Sequence, residues 1–255
     1  MAVLAGAEPF AAAGGPVGAL VLHGFTGTPQ AVRPWAEHLA AAGLTVELPL
    51  LPGHGTRWQD MARTGFDDWY AAAEQALLSL QSRCRSVAVC GLSMGGTLAL
   101  RLAEQHPQTV SSAVVVNVSL NTERRDAALL PLLRRVLPAF PGVAGDIKAP
   151  GVTELAYRWM PLSAAWSQTR AWGRVLGDLP ALRCPVLAYR SREDHVVPAS
   201  STRLLVNGAT GTTVDERVLG DSYHVATLDN DAPAIFAGTL AFVLRHARTD
   251  AELGT

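Results

Sequence analysis

The stretch Gly91-Leu92-Ser93-Met94-Gly95-Gly96 carries G-x-S-x-G between an apolar run, Ser86 to Leu92, and a helix-forming run, TLALRLAEQ. A strand, a tight turn and a helix in that order leave a serine hydroxyl exposed at the turn. The glycines have a physical task. Side chains at 91 and 95 would collide with neighbouring backbone, while Ser93 itself takes a strained conformation. A serine so placed suits nucleophilic attack on an acyl carbon, provided that a base lies within hydrogen-bond reach and a third group orients that base.

The rest of the chain offers both. Among α/β-hydrolases, whose nucleophile sits on such a turn, the order along the chain is serine, acid, histidine. His224, in DSYHVA ahead of the last helical run, is the expected base, and Asp194, in SREDHVVP just after the run CPVLAYR, is the expected acid. Glu193, Asp221 and Asp229 also lie near one or other partner in sequence. Asp194 is favoured because it alone comes from the loop that the chain order predicts. Catalysis also needs amides aimed at the oxygen that becomes negative, each worth about 3 to 4 kcal/mol. Met94 at the start of its helix is one expected donor, and Phe25 in His23-Gly24-Phe25-Thr26-Gly27 is the other. The side chains of His23 and His54 read as turn and packing groups, and His195 as structural.

These residues must be held by a scaffold, and the chain alternates short apolar runs with longer stretches of helical spacing. Strands are expected at Val17 to Leu22, Leu44 to Leu50, Ser86 to Leu92, Val110 to Val116, Pro185 to Tyr189 and Thr213 to Val218. Helices are expected at about 30–42, 67–82, 95–105, 198–207 and 232–247. Near-uniform apolar strands mean a sheet covered on both faces, so the fold class is α/β: an α/β-hydrolase core with a mostly parallel sheet. Residues 119–180 break the alternation. They hold no convincing strand, but Leu129, Leu132, Leu133, Val136 and Leu137 recur at helical spacing, followed by Trp159, Trp166 and Trp172. This segment reads as a helical cap inserted between core segments 1–118 and 181–255, with its apolar stripe packed on the body.

Composition narrows the function classes. With 255 residues, 49% of them hydrophobic, one large core suffices, and a formal net charge of −1 offers no field for nucleic acid. Cys84, Cys90 and Cys184 show neither a CxxC pair nor a metal-ligand register, and Cys90 and Cys184 read as small buried hydrophobes. No metal or organic cofactor is expected. The N-terminus MAVLAGAEPF lacks the pattern of a signal peptide and no run is long enough for a membrane span, so a cytoplasmic location is expected. Arg124-Arg125 and Arg134-Arg135 read as a solvated face of the cap that could make transient contact with a membrane surface.

The segments HGFTGTP, LLPGHGT, GLSMGG, EDHVVP and SYHVATLD, in this order and at these separations, together resemble the bacterial monoacylglycerol lipases and the closely related small carboxylesterases. The resemblance runs from about residue 8 to 247. It implies a triad of Ser93, Asp194 and His224, with Phe25 and Met94 as the oxyanion amides, in agreement with the chemistry above. GVTELAYRW is similar to the family's cap segment. That similarity implies that Glu154 holds the glycerol hydroxyls and that Val143 faces the acyl chain. Between 119 and 142 no motif matches. The expected reaction is hydrolysis of a carboxylic ester through an acyl-serine, most readily on a monoacylglycerol. The runner-up is a short-chain carboxylesterase, and a non-enzymatic receptor on the same fold is disfavoured by the intact triad.

Overall fold

The computed structural model describes residues 2–248. Met1 and residues 249–255, which end the two expected core segments, lie outside the described residues. In chain order the elements are β1 (Phe10–Ala12), β2 (Val17–Leu22), α1 (Arg33–Ala41), β3 (Thr45–Leu48), α2 (Trp58–Met61), α3 (Phe66–Gln81), β4 (Ser86–Leu92), α4 (Met94–Gln105) and β5 (Val110–Val116). They continue with α5 (Leu130–Leu133), β6 (Ala139–Pro141), β7 (Trp159–Pro161), α6 (Leu162–Asp178), β8 (Val186–Ser191), α7 (Ser200–Gly208), β9 (Val214–Leu219) and α8 (Ala232–Arg245). Seven strands form one sheet in the order β1-β3-β2-β4-β5-β8-β9. Only β1 runs antiparallel, on the edge beside β3.

Both faces of the sheet are covered, and the strand residues divide between them with period two. Leu20, Leu22, Val87, Val89, Ala113 and Val115 meet Trp69, Ala73 and Leu77 of α3, Leu98 of α4 and Val175 of α6. Ala19, Val21, Ala88, Cys90, Val114 and Val116 meet Trp35 and Leu39 of α1 and Ile235, Phe242 and Val243 of α8. The three cysteines are buried and free. The helix α3 starts on a side-chain cap, the Gly65 N–H donating to Asp68 Oδ2 at 2.8 Å. Among the described residues no helix is long and apolar enough to cross a membrane.

The region from 119 to 180 departs from the expectation of an all-helical insertion. It contains a two-stranded antiparallel ribbon, β6 with β7, and the leucine-rich stretch makes only the single turn α5 after a short 3₁₀ segment at Arg125–Leu129. Pro131 at the start of α5 and Pro138 beyond it confine helix to that turn, because proline supplies no N–H. Nor does the stripe pack on the body: Leu129, Leu132, Val136 and Leu137 are 55%, 62%, 71% and 43% exposed. The helix α6, by contrast, buries Ala164, Ala171 and Val175 in the main core. The residues that stand off the body therefore lie between β5 and α6.

Candidate active site

Ser93 sits between β4 and α4 with φ 55° and ψ −114°, one of three non-glycine residues in the left-handed region among those described. The turn is closed from both sides. A Cβ at Gly91 would overlap the Gly95 carbonyl, and one at Gly95 would overlap the Leu22 carbonyl. Hydrogen bonds from Ser93 N–H to Val116 O (2.9 Å) and from Thr97 N–H to Ser93 O (3.2 Å) fix the turn to β5 and to its own helix. Met94 opens α4, so its amide belongs to the first turn, whose N–H groups lack intrahelical acceptors. The loop after β2 runs alongside: a Cβ at Gly24 would stand 3.6 Å from Ser93 Cβ, and Phe25 follows it.

That loop rests on a pair of neutral histidines. His23 Nε2 accepts the Leu51 N–H at 3.2 Å, so its proton is on Nδ1, 3.0 Å from Gly24 O. Burial pulls the His23 pKa down to about 4, against the raising effect of the Gly24 bond. His54 meets it edge-on at 4.9 Å and is likewise depressed, first by burial and then by His23. Both histidines are packing groups, as the turn reading expects.

On the opposite side, His224 Nδ1 lies 2.8 Å from Asp194 Oδ2, with only 9% and 6% of the two side chains exposed. Asp194 Oδ1 accepts the N–H groups of Val196 and Val197, each at 2.8 Å. Burial alone would raise the Asp194 pKa, but the His224 charge and hydrogen bond and these two amides hold it below the ordinary carboxylate range. Burial would lower His224, and Asp194, Glu154 and Asp146 outweigh it to leave its pKa raised. An ionised Asp194 draws the imidazole proton to Nδ1 and leaves Nε2 with its lone pair. Asp221 is far from this role: its carboxylate is 62% exposed and paired with Lys148 Nζ at 2.9 Å.

Ser93, Phe25, His224, Glu154 and Val143 line one cavity of about 470 Å³, whose remaining wall is largely apolar, including Leu130, Leu133, Met160, Leu162 and Trp172. A volume in this range suits a drug-sized ligand. Glu154 lies on a segment without regular secondary structure and not on a helix. Gln30 holds that segment on both sides of it, donating to Thr153 O at 3.0 Å and accepting the Leu155 N–H at 2.9 Å. Glu154 Oε2 accepts the Gly145 N–H at 2.8 Å, and a Cβ at Gly27 would stand 3.0 Å from Oε1, so glycine makes room there. Burial raises the Glu154 pKa against the lowering by Gly145 and His224. Val143, 54% exposed, stands at the cavity mouth.

Asn117 and Asp146 shape the site but escaped the sequence reading, and Asp229, weighed there only as another acid, holds backbone instead. Asn117, with φ 46° at the end of β5, donates from Nδ2 to Ser191 Oγ (2.9 Å) and His224 O (2.8 Å) and accepts the Ser191 N–H (2.7 Å). Asp229 is buried and accepts the N–H groups of Lys148, Ala149, Tyr223 and Asn230. Asp146 binds the loops of both Asp194 and His224. A positive-φ asparagine just after a strand is a signal a sequence can carry. Asp146 offers none, since its partners are 49 and 78 positions away. His195 is structural in a specific sense: its ring bonds to Asp146 at 2.8 Å and borders the cavity.

Comparison with known proteins places this architecture. Residues 19–239 match the alpha/beta hydrolase family. A thermostable monoacylglycerol lipase of Bacillus sp. (strain H-257) is 44% identical over 247 residues, 96% of this chain and 97% of that one. A solved structure from work on LipS and LipT, two metagenome-derived lipolytic enzymes, superposes with a TM-score of 0.93 at 42% identity, covering 96% of this chain and 100% of that one. The monoacylglycerol lipase of Paleococcus ferrophilus shares the fold at 19% identity, with a TM-score of 0.76 over 94% of this chain and 100% of that one.

Proposed function

Because this chain belongs to the alpha/beta hydrolase family, we propose that its cavity hydrolyses the ester bond of a monoacylglycerol, with Ser93 as nucleophile, His224 as base and Asp194 as the orienting acid. In the first half-reaction Ser93 Oγ attacks the ester carbonyl as its proton passes to His224 Nε2. The amides of Phe25 and Met94 take the developing oxyanion, and His224 returns the proton to glycerol as the C–O bond breaks. A water then repeats the sequence on the acyl-Ser93, losing its proton to His224. Attack on the acyl carbon gives a second oxyanion, which collapses to release the fatty acid and free Ser93, its oxygen taking the proton from His224.

The observation that carries the substrate assignment is Glu154. Its carboxylate lines the same cavity as Ser93 and His224, in a wall that is largely apolar, and is an acceptor for vicinal hydroxyls, and a simple alkyl ester leaves it unused. The similarity to a monoacylglycerol lipase along nearly the whole chain supports the same reading. Two further points belong to it. The cap, taken as the insertion within 119–180 between core segments 1–118 and 181–255, would meet the lipid phase through exposed Leu129, Leu132, Val136 and Phe140, beside Arg134 and Arg135. The reaction would take place in the cytoplasm, where buried free thiols are ordinary.

The test compares kcat/KM for a monoacylglycerol with that for the ethyl ester of the same acid. The reading expects the monoacylglycerol to be favoured by roughly tenfold or more, the worth of a charge-assisted hydrogen bond. Equal values would reduce the enzyme to a general carboxylesterase.

A further inference from the structure

One carboxylate from the segment before α6 touches both loops that form the Asp194–His224 pair. Asp146 Oδ2 accepts the backbone N–H of His224 at 3.1 Å and that of His195 at 3.2 Å, and Oδ1 lies 2.8 Å from His195 Nδ1. Its own carbonyl accepts the Val225 N–H at 3.0 Å. The carboxylate is only 11% exposed. Next to it, the N–H groups of Lys148 and Ala149 donate to Asp229, which also accepts from Tyr223, so this strip is fastened beneath the histidine loop.

From this geometry we infer that Asp146 is a positioning residue for the acid–base pair, setting the separation between the loop that carries Asp194 and the loop that carries His224. The inference rests on the reading in which His224 is the base. A hydrogen bond of 2.8 Å between two side chains holds only if their backbones are held, and here a single pair of oxygens spans both backbones. Loss of the carboxylate would also strand two N–H groups in a partly buried place.

Asp146 has a second, electrostatic consequence. The anionic groups facing His224 are Asp194, Glu154 and Asp146. Around them stand Lys148, paired with Asp221 and, at 4.0 Å, with Glu193, and His195, whose pKa Asp146 raises. A base with a raised pKa must lose its proton before it can act, so the acid limb of kcat/KM for the natural enzyme should lie above the ordinary histidine value. Removing the Asp146 charge lets that limb slide to lower pH.

The experiment uses the full chain with a soluble short-chain ester. Asp146→Ala should lower kcat by roughly 10- to 100-fold, the range for a slightly misplaced catalytic group, with little change in KM. Asp146→Asn, which keeps an acceptor oxygen, should recover much of kcat yet retain the acid-limb shift, and Asp221→Asn should move neither. If Asp146→Ala fails to fold, the limb shift in Asp146→Asn decides. A proton NMR spectrum gives a readout independent of turnover: the low-field Nδ1–H resonance of His224, identified by its loss in His224→Ala, should broaden or vanish in Asp146→Ala. Should the natural protein hydrolyse no ester, that loss would still uphold the positioning role while the hydrolase reading fell. An Asp146→Ala enzyme with kcat within about twofold of the natural one, an unmoved limb and an intact resonance would overturn the inference.

Discussion

The turn at Ser93 and the turn at α5 are both short, but they are built in opposite ways. Around Ser93 the residues of β4 and α4 are almost wholly buried: Leu98, Ala99 and Leu100 expose nothing, and the strained serine is over-determined by β2, β5 and its own helix. Around α5 four apolar side chains, Leu129, Leu132, Val136 and Leu137, face outward. The strain at the first is held in place by surroundings that cannot yield, which is the condition for keeping an active-site residue in a sparsely populated conformation. The second has no such surroundings. It forms a wall of the cavity through Leu130 and Leu133 and leaves its outer face uncovered. In the proposed function, chemistry belongs to the tightly packed half and access to the loosely covered half.

The largest expected effect lies in the rigid half. Ser93→Ala or His224→Ala should lower kcat by on the order of 10⁴- to 10⁶-fold with the fold intact by circular dichroism. A variant of either kind that retained a tenth or so of the rate would break the assignment. Next comes the acid: Asp194→Asn should cost roughly 10³- to 10⁴-fold in kcat, because the imidazole loses its preferred tautomer. Asp221→Asn, at an exposed ion pair, should cost less than about threefold. The opposite ranking would transfer the role to Asp221.

The contrast also explains what the sequence could disclose. Strands β2, β4 and β5 read correctly to the residue, because runs buried on both faces carry no charged residue to confuse their limits, their polar positions being the small residues Ser86, Ser111 and Ser112. The placement of Ser93, Asp194 and His224 was legible from the order of elements, since each follows a strand, β4, β8 and β9 in turn. The edge strand β1 was not: FAA is three residues long and carries no period. Between β5 and β6 the helical spacing of Leu129 to Leu137 misled, because the periodicity counts apolar residues but does not say whether anything covers them. Asp146 holds the backbone N–H groups of His195 and His224, and Asp229 those of Lys148 and Ala149, far along the chain, and no side-chain pattern records such partners.

Smaller effects sharpen the comparison at the cavity between the two halves. Glu154→Ala should lower kcat/KM for a monoacylglycerol by roughly ten- to a hundredfold, and that for the matching ethyl ester by less than about threefold. Equal losses on both substrates would make Glu154 a support for the cap segment and not a ligand for glycerol. Smallest in activity but clearest in stability is a matched pair of leucines. In chemical unfolding, Leu98→Ala should cost about 2 to 5 kcal/mol as a cavity in the core, whereas Leu132→Ala should stay within about 0.5 kcal/mol. Similar losses at both positions would mean that the outer face of α5 is covered after all.

Acylation of Ser93 is the step on which the proposed reaction turns. Incubation of the natural protein with a fluorophosphonate probe, followed by mass mapping, tests this in one step. It should show a single adduct on the peptide that contains Ser93, and none in Ser93→Ala. A folded natural protein that stays unlabelled, or an adduct carried by any other residue, would contradict it.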